Sequence, residues 1–216
     1  MPSSNNSYVK QDFTEQDLSS QRFENCKFFE CDFSRANLID SKFINCTFIE
    51  PGSEHGCSFE FTKLNDASFQ DCNMSLANFA GAHCFGIELR SCNLQGANFG
   101  RASFSNLISH RSYFCSAYIT GCNLNYANLE RQVLENCELF ENRWNGANLS
   151  GASLKGSDLS SGEFSKDQWG QFQMENCNLC RVDLEGLNIR HVNLNGVRIS
   201  DWQQEQLLNQ LGIIVY

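Results

Sequence analysis

Cysteine, histidine and carboxylate side chains carry most of the reactive chemistry available to this sequence, which has 12 cysteines and four histidines. Thiolates are nucleophiles and soft-metal ligands, and a Cys-x-x-Cys pair is a common half-site for zinc or for thiol redox chemistry. One such pair occurs, Cys177 to Cys180, with no second pair to complete a metal site. His55, His83, His110 and His191 are scattered along the chain. Carboxylates such as Glu88, Glu138, Asp158 and Glu163 could exchange protons, yet no G-x-S-x-G, H-E-x-x-H or Walker motif accompanies them. Whether any of these groups converge depends on the elements that carry them.

Neither a helical nor a strand period fits the apolar pattern; the period is five. A large apolar residue recurs at Phe13, Leu18, Phe23, Phe28, Phe33, Leu38, Phe43 and Phe48, then from Phe59 through Leu64, Phe69, Met74 and Phe79 to Ile199. All but two of these central positions are Phe, Leu, Ile, Met or Trp, Cys84 and Ser109 being the exceptions. A small residue usually lies two positions before each centre, as at Ala36, Ala67, Ala97 and Ala127. The position just before the centre is often Asn or Asp, as at Asn98, Asn128 and Asp158, side chains that bond their own backbone at turns.

Nine cysteines, Cys26, Cys31, Cys46, Cys57, Cys72, Cys92, Cys122, Cys137 and Cys177, fall on the small position, where a thiol serves as a compact hydrophobe. Cys180 follows a centre and faces outward, so it does not converge with Cys177. Glu88, Glu138, Asp158 and Glu163 flank centres and belong to a solvated face. The expectation is a protein without metal, cofactor or catalytic site.

Units such as Ala147 to Gly151 (A-N-L-S-G) and Ala97 to Arg101 (A-N-F-G-R) are similar to the pentapeptide-repeat family. The resemblance implies an all-β solenoid, a right-handed quadrilateral β-helix in which each pentad forms one side and four complete a coil. About nine coils at one strand spacing, roughly 4.8 Å, make a rod of about 45 Å. Equivalent positions four pentads apart then stack, and Phe59, Phe79, Phe99, Ile119, Leu139, Leu159, Leu179 and Ile199 are expected to form one internal ladder. Residues 1–10 read as a flexible N-terminus, 11–199 as the β-helix and 200–216 as a terminal cap.

Two breaks interrupt the period. Ile49, Glu50, Pro51, Gly52, Ser53, Glu54, His55 and Gly56 hold a proline and two glycines between Phe48 and Phe59, which predicts a projecting loop. In the second break, Ser105, Asn106, Leu107, Ile108, Ser109, His110, Arg111, Ser112, Tyr113, Phe114, Cys115 and Ser116 cannot form two normal sides, because Leu107 takes a small position and Ser109 a centre. This predicts a second loop, and loops on rigid scaffolds commonly carry recognition. After Ile199, a Ser200/Gln203 capping box, Asp201 and a Gly212 stop predict a helix from about Asp201 to Leu211. Its Trp202, Leu207, Leu208 and Leu211, with Ile213, Ile214, Val215 and Tyr216, provide an apolar end suited to capping and two-fold pairing.

The formal charge of −9 and pI near 4.9 disfavour direct nucleic-acid binding, which needs clustered Lys and Arg. With no apolar leader or membrane-length stretch, the chain reads as cytoplasmic.

The early loop, the second loop reaching Phe114 to Thr120 (F-C-S-A-Y-I-T), the segment Cys137 to Trp144 (C-E-L-F-E-N-R-W) and an end reading L-G-I-I-V resemble the Qnr family of bacterial quinolone-resistance proteins. That resemblance implies a homodimer joined through its C-termini. It also implies binding to DNA gyrase and topoisomerase IV as an acidic DNA-mimicking rod that protects them from fluoroquinolones, with both loops as contact elements. The alternative is a non-catalytic interaction scaffold with an unrelated partner.

Overall fold

The computed structural model describes residues 3–109 and 112–214. Its elements are the short strands β1 (Ser3–Ser4), β2 (Ser7–Val9), β3 (Arg22–Glu24), β4 (Lys27–Phe29), β5 (Lys42–Ile44), β6 (Ser68–Gln70), β7 (Ile87–Arg90), β8 (Ser105–Ser109), β9 (Ser112–Cys115) and β10 (Ala117–Thr120), followed by α1 (Gln203–Leu208). They build a right-handed quadrilateral β-helix. One wall is a sheet in the order β1-β3-β5-β6-β7-β10, every neighbouring pair parallel. Apart from the parallel pair β2-β4 on a second wall, the other walls are held by single parallel bridges such as Asn98↔Asn128 and Ser153↔Gln173. No helix among the described residues is long and apolar enough to cross a membrane.

A pentad closes one side because its five positions do different work. The centre and the small residue two before it point inward, as in Ala127 and Leu129, both fully buried. The residue two past the centre takes a left-handed conformation that turns the corner, as at Asn25 (φ 52°), Asp66 (φ 55°) and Asn136 (φ 55°). Asn and Asp tolerate this region better than other L-residues do. Many corners are closed by a short-range backbone hydrogen bond, for example from the Ala36 N–H to the Phe33 carbonyl at 3.0 Å.

The Asn before the centre links coils as well as turns. Asn128 accepts the Glu130 N–H on Oδ1 at 3.2 Å and donates Nδ2 to Asn98 Oδ1 at 3.0 Å. Asn98 repeats this on Gly100 and Asn78, and Asn148 on Ser150 and Asn128, so a continuous amide ladder runs up the outside of one wall.

Inside, the N-terminal half is a set of aromatic stacks. Phe13, Phe33, Phe59, Phe79 and Phe99 lie face to face with centroids 4.7 to 5.0 Å apart, the spacing of the coils themselves. Mostly aliphatic ladders replace them in the later coils, although Trp144 and Phe164 still stack with centroids 6.0 Å apart.

The structure corrects the expected ladder. Ile119 does not stack on Phe99. It pairs in register with Leu89, while the Asn98↔Asn128 bridge places Leu129 over Phe99. The step from Leu89 to Ile119 is half as long again as a normal coil, because the equivalent of two pentads between Phe104 and β10 projects from the wall and adds nothing to the coil. The wall therefore runs Phe23, Phe43, Phe69, Leu89, Ile119, Leu139, Leu159, Leu179 and Ile199.

Strand pairing also reaches into the segment expected to be flexible. Ser3–Ser4 and Ser7–Val9 pair with β3 and β4, and the Tyr8 ring stacks on Phe28 at 4.9 Å.

Two glutamines mark places where the wall gives way to helical turns. At a 3-10 turn over Lys166–Gln168, buried Gln168 accepts the Ser165 N–H and donates Nε2 to the carbonyls of Trp144 and Ala147, both at 2.8 Å. Gln203, at the start of α1, repeats the arrangement with the Ser200 N–H and the carbonyls of Leu179 and Val182. Each side-chain amide thus satisfies two backbone groups that the interrupted wall leaves open, the Ser N–H and the carbonyl of Ala147 or Val182, and adds a second donor to the carbonyl of Trp144 or Leu179.

Replacing Phe79 by Ala should lower stability by about 3 kcal/mol or more, because its neighbours in the stack cannot collapse onto the void; an unchanged urea midpoint would show that the stack does not carry this weight. Replacing Gln203 by Ala strands the Ser200 N–H and the Val182 carbonyl, at about 1–3 kcal/mol each if they stay dry, and leaves the Leu179 carbonyl only its bond from the Val182 N–H. The expected readout is a separate change in tryptophan fluorescence on heating, ahead of the main transition, as the segment around Trp202 comes loose.

Candidate functional site

Few reactive side chains converge. All nine cysteines assigned to the small position are buried, and no disulfide forms among the described residues. Burial pushes Cys137 and Cys177 up to about 12, so at neutral pH they are protonated and poorly nucleophilic. Cys180 sits on the outer side of its wall, half-buried, apart from Cys177. Among the described residues no group of three His, Cys, Asp or Glu is close enough to hold a metal. Glu88, Glu138 and Asp158 lie in register on one outer wall, with Tyr118 between the first two, and Arg90 is 3.4 Å from Glu88. They form a charged stripe along that wall. Glu163 lies on another wall, in register with Arg143.

Among the described residues, what leaves the rod is chiefly two projections and one end. The first projection departs after Phe48 and returns at Cys57, whose N–H bonds the Phe48 carbonyl at 3.1 Å. Inside it a turn closes from the Ser53 N–H to the Glu50 carbonyl, and Ser53 Oγ bonds both the N–H and the carbonyl of His55. Glu50, Pro51, Gly52, Glu54 and His55 are exposed, whereas Ile49 is turned into the wall and buried. Gly56 is required by proximity: a Cβ there would lie 2.6 Å from the Ser75 carbonyl oxygen of the adjoining coil. Phe59 stacks on Phe33 although the chain between them is longer than a normal coil by one pentad and one further residue. In the sequence that insertion shows only as a phase slip of one.

The second projection is an ordered hairpin. β8 and β9 pair antiparallel, Ser105 opposite Cys115, Asn106 opposite Phe114 and Leu107 opposite Tyr113, with a bulge between Leu107 and Ser109. Of the predicted loop residues, His110 and Arg111 lie outside the described residues. Leu107 and Ile108 are 75% and 67% exposed, and Tyr113 and Phe114 are each about half exposed. Phe114, which the period marks as a centre, is therefore a hairpin residue. Its ring packs edge-on against Phe85 with centroids 5.0 Å apart. The hairpin is seated by the Ser116 N–H on the Phe104 carbonyl at 3.1 Å, the Cys115 thiol on the Val133 carbonyl and the Tyr113 hydroxyl on Glu135. That last bond favours the protonated phenol and holds Tyr113 above the ordinary tyrosine range.

At the C-terminal end the expected long helix is shorter. α1 spans Gln203–Leu208 and continues as a 3-10 turn over Asn209–Leu211, stopped by Gly212 at φ 76°. Gln206 and Gln210 reach down to accept the N–H groups of Leu184 and Ile189, which the final coil leaves open. Leu207 covers part of the terminal core formed by Leu194, Val197 and Ile199, all still partly exposed. Trp202, Leu211, Ile213 and Ile214 are exposed and Leu208 is half-buried; Val215 and Tyr216 lie outside the described residues.

Comparison with known proteins places this architecture. The family model for the pentapeptide repeat region matches residues 16–99, and that for pentapeptide repeats (8 copies) matches residues 133–166 and 170–201. The pentapeptide repeat protein VPA0095 of Vibrio parahaemolyticus is 55% identical over 142 residues, 66% of each chain. The quinolone resistance pentapeptide repeat protein QnrB96 of Scandinavium goeteborgense is 43% identical over 142 residues, 66% of this chain and 57% of the relative. These alignments span less than two thirds of the curated relatives' length. Full-length QnrB1, a plasmid-mediated fluoroquinolone resistance protein, matches in structure with a TM-score of 0.94 and 44% identity, over 99% of this chain and 100% of that one. The fold thus corresponds to that of QnrB1 over nearly the whole of both chains, and the chain belongs to the pentapeptide-repeat family, on its Qnr branch.

Proposed function

We propose that this chain is a non-catalytic cytoplasmic protein that binds the type II topoisomerases DNA gyrase and topoisomerase IV and protects them from fluoroquinolones. The end-to-end correspondence with QnrB1, a named resistance protein, carries the reading. The exposed apolar residues of the hairpin, Leu107, Ile108, Tyr113 and Phe114, and the exposed acids Glu50 and Glu54 of the first projection support it as contact elements.

Charge sets the division of labour. A duplex of about 45 Å carries roughly 26 phosphate charges, one per about 1.7 Å. This chain has a net −9. Residues 1–100 hold 13 acids and 7 bases, net −6, and residues 101–216 hold 12 and 9, net −3. The rod supplies shape and long-range attraction toward a basic groove, and the projections supply specific contact. Two-fold pairing through the C-terminal end covers the partly exposed Leu194, Val197 and Ile199 together with Trp202, Leu211, Ile213 and Ile214.

The decisive experiment is gyrase supercoiling at a fixed inhibitory concentration of ciprofloxacin, titrating the intact protein against a version lacking residues 105–116. Rescue by the intact protein alone is expected; no rescue by either leaves an interaction scaffold whose partner is another protein. Affinity for gyrase should fall between about 50 and about 200 mM salt, and a salt-independent affinity would remove the electrostatic part. Deleting residues 201–216 should convert a dimer into monomers or aggregates in sedimentation, whereas a clean dimer after deletion would move the interface elsewhere.

A further inference from the structure

The hairpin is the largest insertion in the rod, and a two-stranded hairpin alone is marginally stable in water. Something must hold it at a fixed angle if its exposed residues are to meet a partner in one geometry. On the following coil, Glu135 lies just past the centre Leu134, on the outside of the wall. Its Oε2 accepts the Tyr113 hydroxyl at 3.0 Å, and its Oε1 accepts Ser153 Oγ from the coil beyond. Lys155, one coil above Glu135, is engaged elsewhere, 3.7 Å from Glu175. The carboxylate is therefore committed to two hydroxyl donors, one on the hairpin and one on the rod. Across the hairpin root Phe85 meets Phe114 from the preceding coil. The hairpin is thus held from both sides, by an aromatic edge below and a carboxylate above.

We infer that Glu135 is a positioning residue for the hairpin: by bridging Tyr113 to Ser153 it fixes the angle at which Leu107, Ile108 and Phe114 are presented to the partner. This rests on the proposed topoisomerase function for its consequence, but not for its geometry. A hydrogen bond to a charged acceptor contributes more than a neutral one, although half-exposure of Tyr113 reduces its share. A Gln at this position keeps an oxygen able to accept from Tyr113; an Ala does not.

The test combines amide hydrogen exchange of the hairpin with the ciprofloxacin rescue titration, using full-length Glu135→Ala, Glu135→Gln and Tyr113→Phe proteins. Since Glu135 is outside the core, all three should melt with the unaltered protein. Glu135→Ala and Tyr113→Phe should exchange hairpin amides about three- to tenfold faster and require several-fold more protein for rescue, and Glu135→Gln should restore most of both. Unchanged exchange in Glu135→Ala overturns the bridge. Faster exchange with undiminished rescue overturns the positioning role. If even the unaltered protein fails to rescue, the functional reading falls, while the exchange arm still decides whether the bridge holds the hairpin.

Discussion

Successive coils lie a strand separation apart, and parallel in-register pairing forces each inward side chain onto its equivalent in the next coil. Stacked phenylalanines satisfy that distance because two rings in face-to-face contact occupy about the same height, 4.7 to 5.0 Å. Amides satisfy it on the outside, since an Asn donates and accepts along one line. Thiols and alanines satisfy it at the small positions, where two walls approach each other. The composition of the chain, rich in Phe, Cys and Asn, reflects what stacks on itself at this height.

That rule also explains which features were legible in the sequence. The period of five, the inward thiols and the two interruptions are local and repeated, so they survive any single exception. Stacking across an interruption is not local. The chain resumes its phase after Phe104 with Ile119 on a multiple of five, and nothing in that spacing tells whether the intervening chain forms two walls or none. Only the pairing of Ile119 with Leu89 settles it. Phe114, a large apolar side chain on the period, is assigned to the second loop only through its neighbours. The flanking irregularities, Leu107 at a small position and Ser109 at a centre, were the available signal.

Other site features were hidden because they depend on contacts distant in sequence. Glu135 occupies an ordinary outward position and carries no motif; its role appears only when Tyr113 and Ser153 are brought to either side. Gln168 is similarly unmarked. The sequence suggested a capping box for Ser200 and Gln203, whereas the matching pair Ser165 and Gln168 falls within the period and passes unnoticed. In both, the glutamine oxygen does what a capping box requires, and its nitrogen reaches back a full coil to the wall below.

The junctions at which the projections leave the rod are closed by the kind of hydrogen bond that closes many of its corners, a centre's carbonyl accepting an N–H from the start of the next side. At an ordinary corner that bond spans a single turn, as from Phe33 to Ala36; here it spans a whole projection, from Phe48 to Cys57 and from Phe104 to Ser116, with lengths of 3.1 Å in both. The rod therefore registers the presence of a closed junction and is indifferent to the length of chain beyond it. Closing a longer excursion costs only about 0.6 kcal/mol for each doubling of its length. Such a frame can lengthen, shorten or replace what it displays with little penalty to its own stability, so that recognition and folding are free to evolve on separate parts of one chain.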